Sequence, residues 1–167
     1  AIESSSINSV HGVDQPVDIY RDQMGIPHIY ASNLHDLFFA QGYVHAQDRF
    51  WQMDFWRHIG SARLSEMFGA SQVETDAFLR TLGWRQIAEA EWDSLSPESN
   101  AILTAYSDGV NAYLADHSGT ELSLEYGVLK LINAGYSVEP WTPVNSLTWA
   151  KAMAWDLRSN VEDEADR

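Results

Sequence analysis

His45 and Asp48 lie one helical turn apart, and His58 follows further along the same stretch, so a metal-ligand or acid–base group can be drawn on one helix. No second ligand cluster stands at matching spacing. The simpler expectation is that these groups cap, pair with Arg49 or Arg57, or satisfy buried neighbours. Near the other end, Glu162-Asp-Glu-Ala-Asp166 concentrates hard oxygen donors, which suit Ca²⁺ better than a transition metal. It lacks the EF-hand spacing, and one short run cannot fill six to eight coordination positions. By composition alone it reads as a solvated acidic helix end. Several serines are present, but none lies in a G-x-S-x-G elbow or an S-x-x-K motif, and no Ser/His/Asp set follows from spacing. The run Phe50, Trp51, Met53, Phe55 and Trp56 has the look of a ligand-lining stripe, yet helical spacing of this kind more commonly marks core.

The elements that must position these groups follow from pattern and punctuation. Val17 and Ile19 alternate with polar neighbours, Gln23-Met-Gly25 supplies a turn, and Pro27-His-Ile-Tyr-Ala31 returns, which predicts a β-hairpin over about 16–31. Asn33 caps a long helix to about Ile59, with Leu34, Leu37, Phe38, Val44, Trp51 and Phe55 near helical spacing and Gly42 and Gly60 as expected breaks. Ser96-Pro97-Glu98 starts a helix whose stripe is Ile102, Tyr106, Val110, Tyr113 and Leu114 and which ends near His117-Ser-Gly119. A shorter helix is expected around Leu124 to Ile132. Glu139-Pro-Trp-Thr-Pro143 is a rigid connector into a last helix from about Val144. The fold class is α+β: a mostly helical chain, read as a single segment over 1–167, with one N-terminal hairpin. Because a two-stranded sheet is marginal alone, the hairpin is expected to join a sheet supplied by another chain.

Composition narrows the partners. The 167 residues carry 45% hydrophobic content and 7 Trp, enough for one packed core. A formal net charge of -14 with only 10 Lys and Arg repels a phosphate backbone, so no nucleic-acid partner is expected. No apolar run approaches the roughly 20 residues of a membrane-spanning helix, and Ala1 to Val13 is polar and Ser-rich, unlike a signal peptide. The absence of Cys excludes disulfides, thiolate metal sites and a Cys nucleophile without fixing a compartment.

Tyr20-Arg-Asp22, Gly25-Ile-Pro-His-Ile-Tyr-Ala31 and Gly42-Tyr-Val-His-Ala-Gln-Asp-Arg49 with Trp51-Gln-Met53 closely resemble the opening of the α subunit in penicillin amidases and related acylases. Later landmarks follow in order: Glu66-Met-Phe-Gly69, Tyr106-Ser-Asp-Gly-Val-Asn-Ala-Tyr113, Glu139-Pro-Trp141, and Lys151-Ala-Met-Ala-Trp-Asp-Leu157 with Glu164. The resemblance runs from about Val17 to the last residue.

This resemblance implies an N-terminal nucleophile hydrolase of αββα fold, made as one exported precursor and cut into α and β chains. The larger β chain begins with the catalytic Ser, so no catalytic residue is expected on this chain. The implied residence is periplasmic or secreted. A start at Ala1 and an ending at Asp166-Arg167 inside an acidic segment are what signal removal and precursor processing lead one to expect. The resemblance also assigns Glu164 as one carboxylate on a Ca²⁺ otherwise held by the β chain. It further points to Met153, Ala154, Leu157 and Arg158 as side chains lent to the acyl pocket. Penicillin G acylases tend to show Arg then Phe near this point, whereas this chain has Leu157-Arg158. A small Ala154 with Leu157 leaves room for a longer aliphatic acyl group. The implied activity is hydrolysis of the side-chain amide of penicillins or related N-acyl compounds. The alternatives are an acyl-homoserine lactone acylase with the same chemistry and, in another class, a non-catalytic acidic calcium-binding interaction protein.

Overall fold

A computed structural model describes residues 10–157. Strands β1 (Asp18–Arg21) and β2 (Pro27–Tyr30) pair antiparallel with Asp18 opposite Tyr30 and Arg21 opposite Pro27. Their turn is chemically specified. Asp22 O accepts from Gly25 N at 2.9 Å, Gly25 takes a left-handed φ of 79°, and Asp22 N donates to Ile26 O at 3.1 Å. This is a three-residue loop closed by a glycine bulge. The Asp22 carboxylate holds it from within, accepting from the amides of Met24 and Ile26 at 2.8 and 2.9 Å.

Helix α1 (Leu34–Gly60) is the long spine, and Asn33 caps it as expected by accepting from Asp36 N at 2.8 Å. Gly42 does not break it. The helix bends instead at Arg49, whose φ of -143° is not helical. Gly42 serves a helix crossing: α1 and α5 (Pro97–Asp116) meet where Gly42 faces the Tyr106 carbonyl and Gly109 faces the Phe39 carbonyl. Each glycine lets the opposing backbone come closer than any side chain permits. The α5 start is as the sequence reads, with Ser96 Oγ accepting from Ser99 N at 3.2 Å and Pro97 in the first turn.

Between these two helices lie α2 (Leu64–Phe68), a 3-10 turn at Gly69–Gln72, α3 (Val73–Leu82) and α4 (Trp84–Ser94), none of them anticipated individually. After α5 come a 3-10 turn at Gly119–Glu121, α6 (Leu124–Ile132) and α7 (Pro143–Asp156). The main core gathers Phe50, Met67, Val110, Tyr113, Tyr126 and Trp141, so the aromatic run on α1 is largely structural. A second cluster of Ala62, Leu79, Trp84 and Ala152 binds α7 to α3 and α4. No helix among the described residues is long and apolar enough to cross a membrane.

Candidate functional site

Helix α7 carries the side chains expected to meet an acyl group, and its two sides differ sharply. Asn145, Thr148 and Ala152 are buried against the body. Gly60 makes that contact close, since a methyl there would lie 2.7 Å from Thr148 Cγ2. Arg85 Nη1 donates to Asn145 Oδ1 at 3.0 Å, Lys151 pairs with Glu91, and Trp155 packs edge-on to Trp84 at 5.8 Å. The helix is therefore seated firmly on α4. Away from these contacts, Met153 is half-buried, Ala154 is exposed and Leu157, just past the helix, is 70% exposed. Ala154 and Leu157 are three residues apart and so share a side. Arg158 and Glu164 lie outside the described residues. A cleft of ≈ 520 Å³ between α5, α6 and the connector includes Lys130, Tyr136 and Glu139 but none of the α7 residues just named.

The three groups first considered for chemistry are scattered. Asp48 takes a two-pronged bond from Arg21, at 2.7 and 2.9 Å, which pins the hairpin to α1; its partner is Arg21 and not Arg49. His45 Nδ1 lies 3.0 Å from the Tyr106 hydroxyl. His58 is buried with Nδ1 2.7 Å from Asp54 O. Among the described residues no histidine is hydrogen-bonded to a Ser or Thr hydroxyl. Ser107 and Thr148 spend theirs on helix carbonyls, and Ser65 spends its own on Asp76. Asp14, His35 and Asp36 come together near the start of α1. The Asp36 carboxylate is already engaged by the amides of Asp14 and Gln15, by Asn33 Nδ2 and by His35, so it acts as a strut for the incoming chain.

The sequence reading missed the polar centre of the fold. Asp54, fully buried, accepts from Arg57 Nε at 2.7 Å and from the hydroxyls of Tyr126 and Tyr136 at 2.7 and 2.6 Å. Arg57, also buried, donates to the carbonyls of Glu139 and Pro140 at 2.9 and 3.1 Å and lies over the Phe50 and Trp141 rings. The one available signal was Asp54 and Arg57 at helical spacing inside an aromatic stretch. Asn111 completes the clamp, donating to Trp141 O at 2.9 Å and accepting from Trp141 N at 2.7 Å. The connector into α7 is thus fixed from α1 and α5 together.

Burial alone would raise the Asp54 carboxyl, but His58, Arg57, Tyr126 and Tyr136 outweigh it and hold its pKa at about 2, below the ordinary 3.8. Asp36 is likewise held at about 2: burial raises it, and the Asp14 amide, His35, Asn33 and the Gln15 amide overcome that. A carboxyl whose pKa is lower folded than unfolded contributes stability above the unfolded value, and that contribution is lost as pH falls through the folded value. Stability to urea is therefore expected to be level above about pH 5 and to decline between about pH 4 and pH 2. Circular dichroism titrations across that range check this; a loss already complete by about pH 5 would contradict it.

The sequence landmarks meet in space: Arg21 with Asp48, Gly42 with Tyr106, and Asn111 with Trp141. They define a mostly helical chain with one antiparallel hairpin, and its family membership is direct. A family model described as penicillin amidase matches residues 16–167, and the chain belongs to that family. It is 42% identical over 139 residues to the penicillin acylase 2 proenzyme of Pseudomonas sp. (strain SE83), covering 83% of this chain and 17% of that protein. It is 35% identical over 161 residues to the acyl-homoserine lactone acylase QuiP of Pseudomonas aeruginosa, covering 96% of this chain and 18% of that protein. Among solved structures it resembles a thermostable penicillin G acylase from Alcaligenes faecalis, with a TM-score of 0.70 and 27% identity over 90% of this chain and 79% of that one. The chain spans less than a fifth of the length of these two curated relatives.

Proposed function

We propose that this chain is the smaller, α subunit of a penicillin-amidase-type acylase, hydrolysing the amide bond of penicillins or related N-acyl compounds. One observation carries this reading: the chain accounts for 79% of a solved penicillin G acylase chain but only 17% of a penicillin acylase proenzyme. A short chain of a much longer precursor has that signature. The larger β chain then completes an αββα fold and brings the N-terminal Ser. That residue's own amine acts as base, directly or through a water, and oxyanion donors on the same chain stabilise the tetrahedral intermediate. The part left to this chain is positioning. Met153, Ala154 and Leu157 would meet the acyl group from α7 and its C-terminal end, held in place by the seating of that helix on α4, and Arg158 is assigned to the same pocket by the family resemblance.

Acyl-homoserine lactones are the second substrate class. The 35% identity to QuiP and the open, aliphatic Leu157 support it. Intact-mass measurement on the purified product of the full gene tests the common reading. A partner several times heavier beginning with Ser is expected, and a gene ending directly after Arg167 would overturn it. Relative hydrolysis of penicillin G, penicillin V and acyl-homoserine lactones of graded length then separates the substrates.

The carboxylates of 162–166 have the donor chemistry of a Ca²⁺ site, and Glu164 is the proposed ligand, with the remaining positions filled from the β chain. The ion would supply cross-chain rigidity. Glu164→Gln is expected to lower bound calcium and the yield of mature two-chain protein, read by atomic emission and gel densitometry. Unchanged calcium content and maturation would remove the assignment. Residence in the periplasm or outside the cell is part of the same proposal.

A further inference from the structure

The hairpin is an unfinished sheet, and its two outer edges are unequal. Asp22 and Ile26 form the hydrogen-bonded pair next to the turn, so pairs alternate from there: Tyr20 with His28 and Asp18 with Tyr30 bond across the hairpin. Ile19 and Arg21 on β1, and Pro27 and Ile29 on β2, therefore turn their backbone groups outward. Pro27 has no N–H to offer, so the β2 edge has lost a donor. The β1 edge keeps both donors and both acceptors. Among the described residues none of these four outward positions has a backbone partner.

Position favours the same strand. β2 packs on α1, which leaves β1 as the outer member, and all four of its residues are exposed. Arg21 ties it through Asp48 and Gln47, at 2.7 and 2.8 Å, so the open edge is held in place rather than hanging free. Exposed edges of this kind are templates for another strand.

We propose that the larger remainder of the same enzyme adds a strand to the outer edge of β1, through the amides and carbonyls of Ile19 and Arg21, and not to β2. The occupant follows from the length accounting: more than four fifths of each of the two curated relatives cited above lies outside the part matched by this chain. The inference rests on the two-chain reading and specifies where the chains join.

Residue-resolved hydrogen exchange on the intact enzyme, purified from the full gene, tests it. The inward amides of Tyr20 and His28 serve as the internal reference. The Ile19 and Arg21 amides are expected to be protected by about 100-fold or more, with Ile29 exchanging like an unpaired edge. Protection of Ile29 with rapid exchange at Ile19 and Arg21, or rapid exchange at all three, would overturn the proposal. So would protection at Ile19 that appears only as protein concentration rises, the mark of a second copy. Ile19→Pro and Ile29→Pro provide a second readout, since each removes one outward donor and no donor within the hairpin. Ile19→Pro is expected to lower the recovery of two-chain enzyme about tenfold and Ile29→Pro to leave it near the parent; equal effects would count against β1. Intact mass of the same sample keeps the two claims apart. Absence of a heavier Ser-initiated chain defeats both, whereas its presence with fast-exchanging Ile19 and Arg21 defeats the edge assignment alone.

Discussion

Asp54→Ala is expected to destabilise the protein by about 3–5 kcal/mol, because it leaves the Arg57 charge buried without its carboxylate. The residue is fully enclosed and its partner Arg57 is 2% exposed. The remaining Arg57 bonds, to the carbonyls of Glu139 and Pro140, satisfy N–H groups but not charge. Two tyrosine hydroxyls lose their acceptor in the same stroke. Tyr136→Phe removes a single hydroxyl and keeps the ion pair, so it is expected to cost only about 1 kcal/mol. Urea unfolding of both variants in the intact enzyme measures the contrast. Equal, small losses would mean that Asp54 is only one acceptor among many. If Asp54→Ala fails to accumulate, Tyr136→Phe still reports whether the centre behaves as a charge-centred unit.

Gly109→Ala is expected to act in the opposite direction from the usual helix rule. Within a helix, replacing Gly by Ala ordinarily gains up to about 1 kcal/mol. Here the new methyl would fall closer than 3.0 Å to the Phe39 carbonyl, and backbone cannot swing aside as a side-chain tip can. Separating α1 from α5 also pulls Asn111 from Trp141, which transmits the change to α7. A loss of about 3 kcal/mol is expected, and Gly42→Ala should behave alike. Gly135→Ala is the control: its nearest neighbour would lie 3.7 Å away, so a change within about 0.5 kcal/mol is expected. A stabilising Gly109→Ala, seen in thermal or urea unfolding, would show that the crossing is looser than drawn.

What could be read from the sequence was whatever is written locally. The hairpin declares itself through alternation and Gly25; the α1 and α5 starts declare themselves through Asn33, Ser96 and Pro97. Helices α2 to α4 do not, because their ends lack side-chain caps of their own. The α2 start is capped from α3, where the Asp76 carboxylate takes the amides of Leu64 and Ser65, each at 2.8 Å. Such a cap reads as an unremarkable acid twelve residues downstream. Gly42 illustrates the converse error: taken as a helix breaker, it is a point of helix contact, and nothing in its immediate neighbours distinguishes the two. The candidate site was legible only as a stretch of α7.

The spine has a temporal meaning as well. Helix α1, 27 residues and about 40 Å long, is translated early, yet its buried charges find their partners 82 residues later, at Tyr136 and Glu139. Until that connector has been made, Asp54 lacks the Tyr136 hydroxyl and Arg57 lacks the two carbonyls that take its terminal N–H groups. The seat of α7 therefore rests in part on a charge laid down 82 residues before the carbonyl it holds.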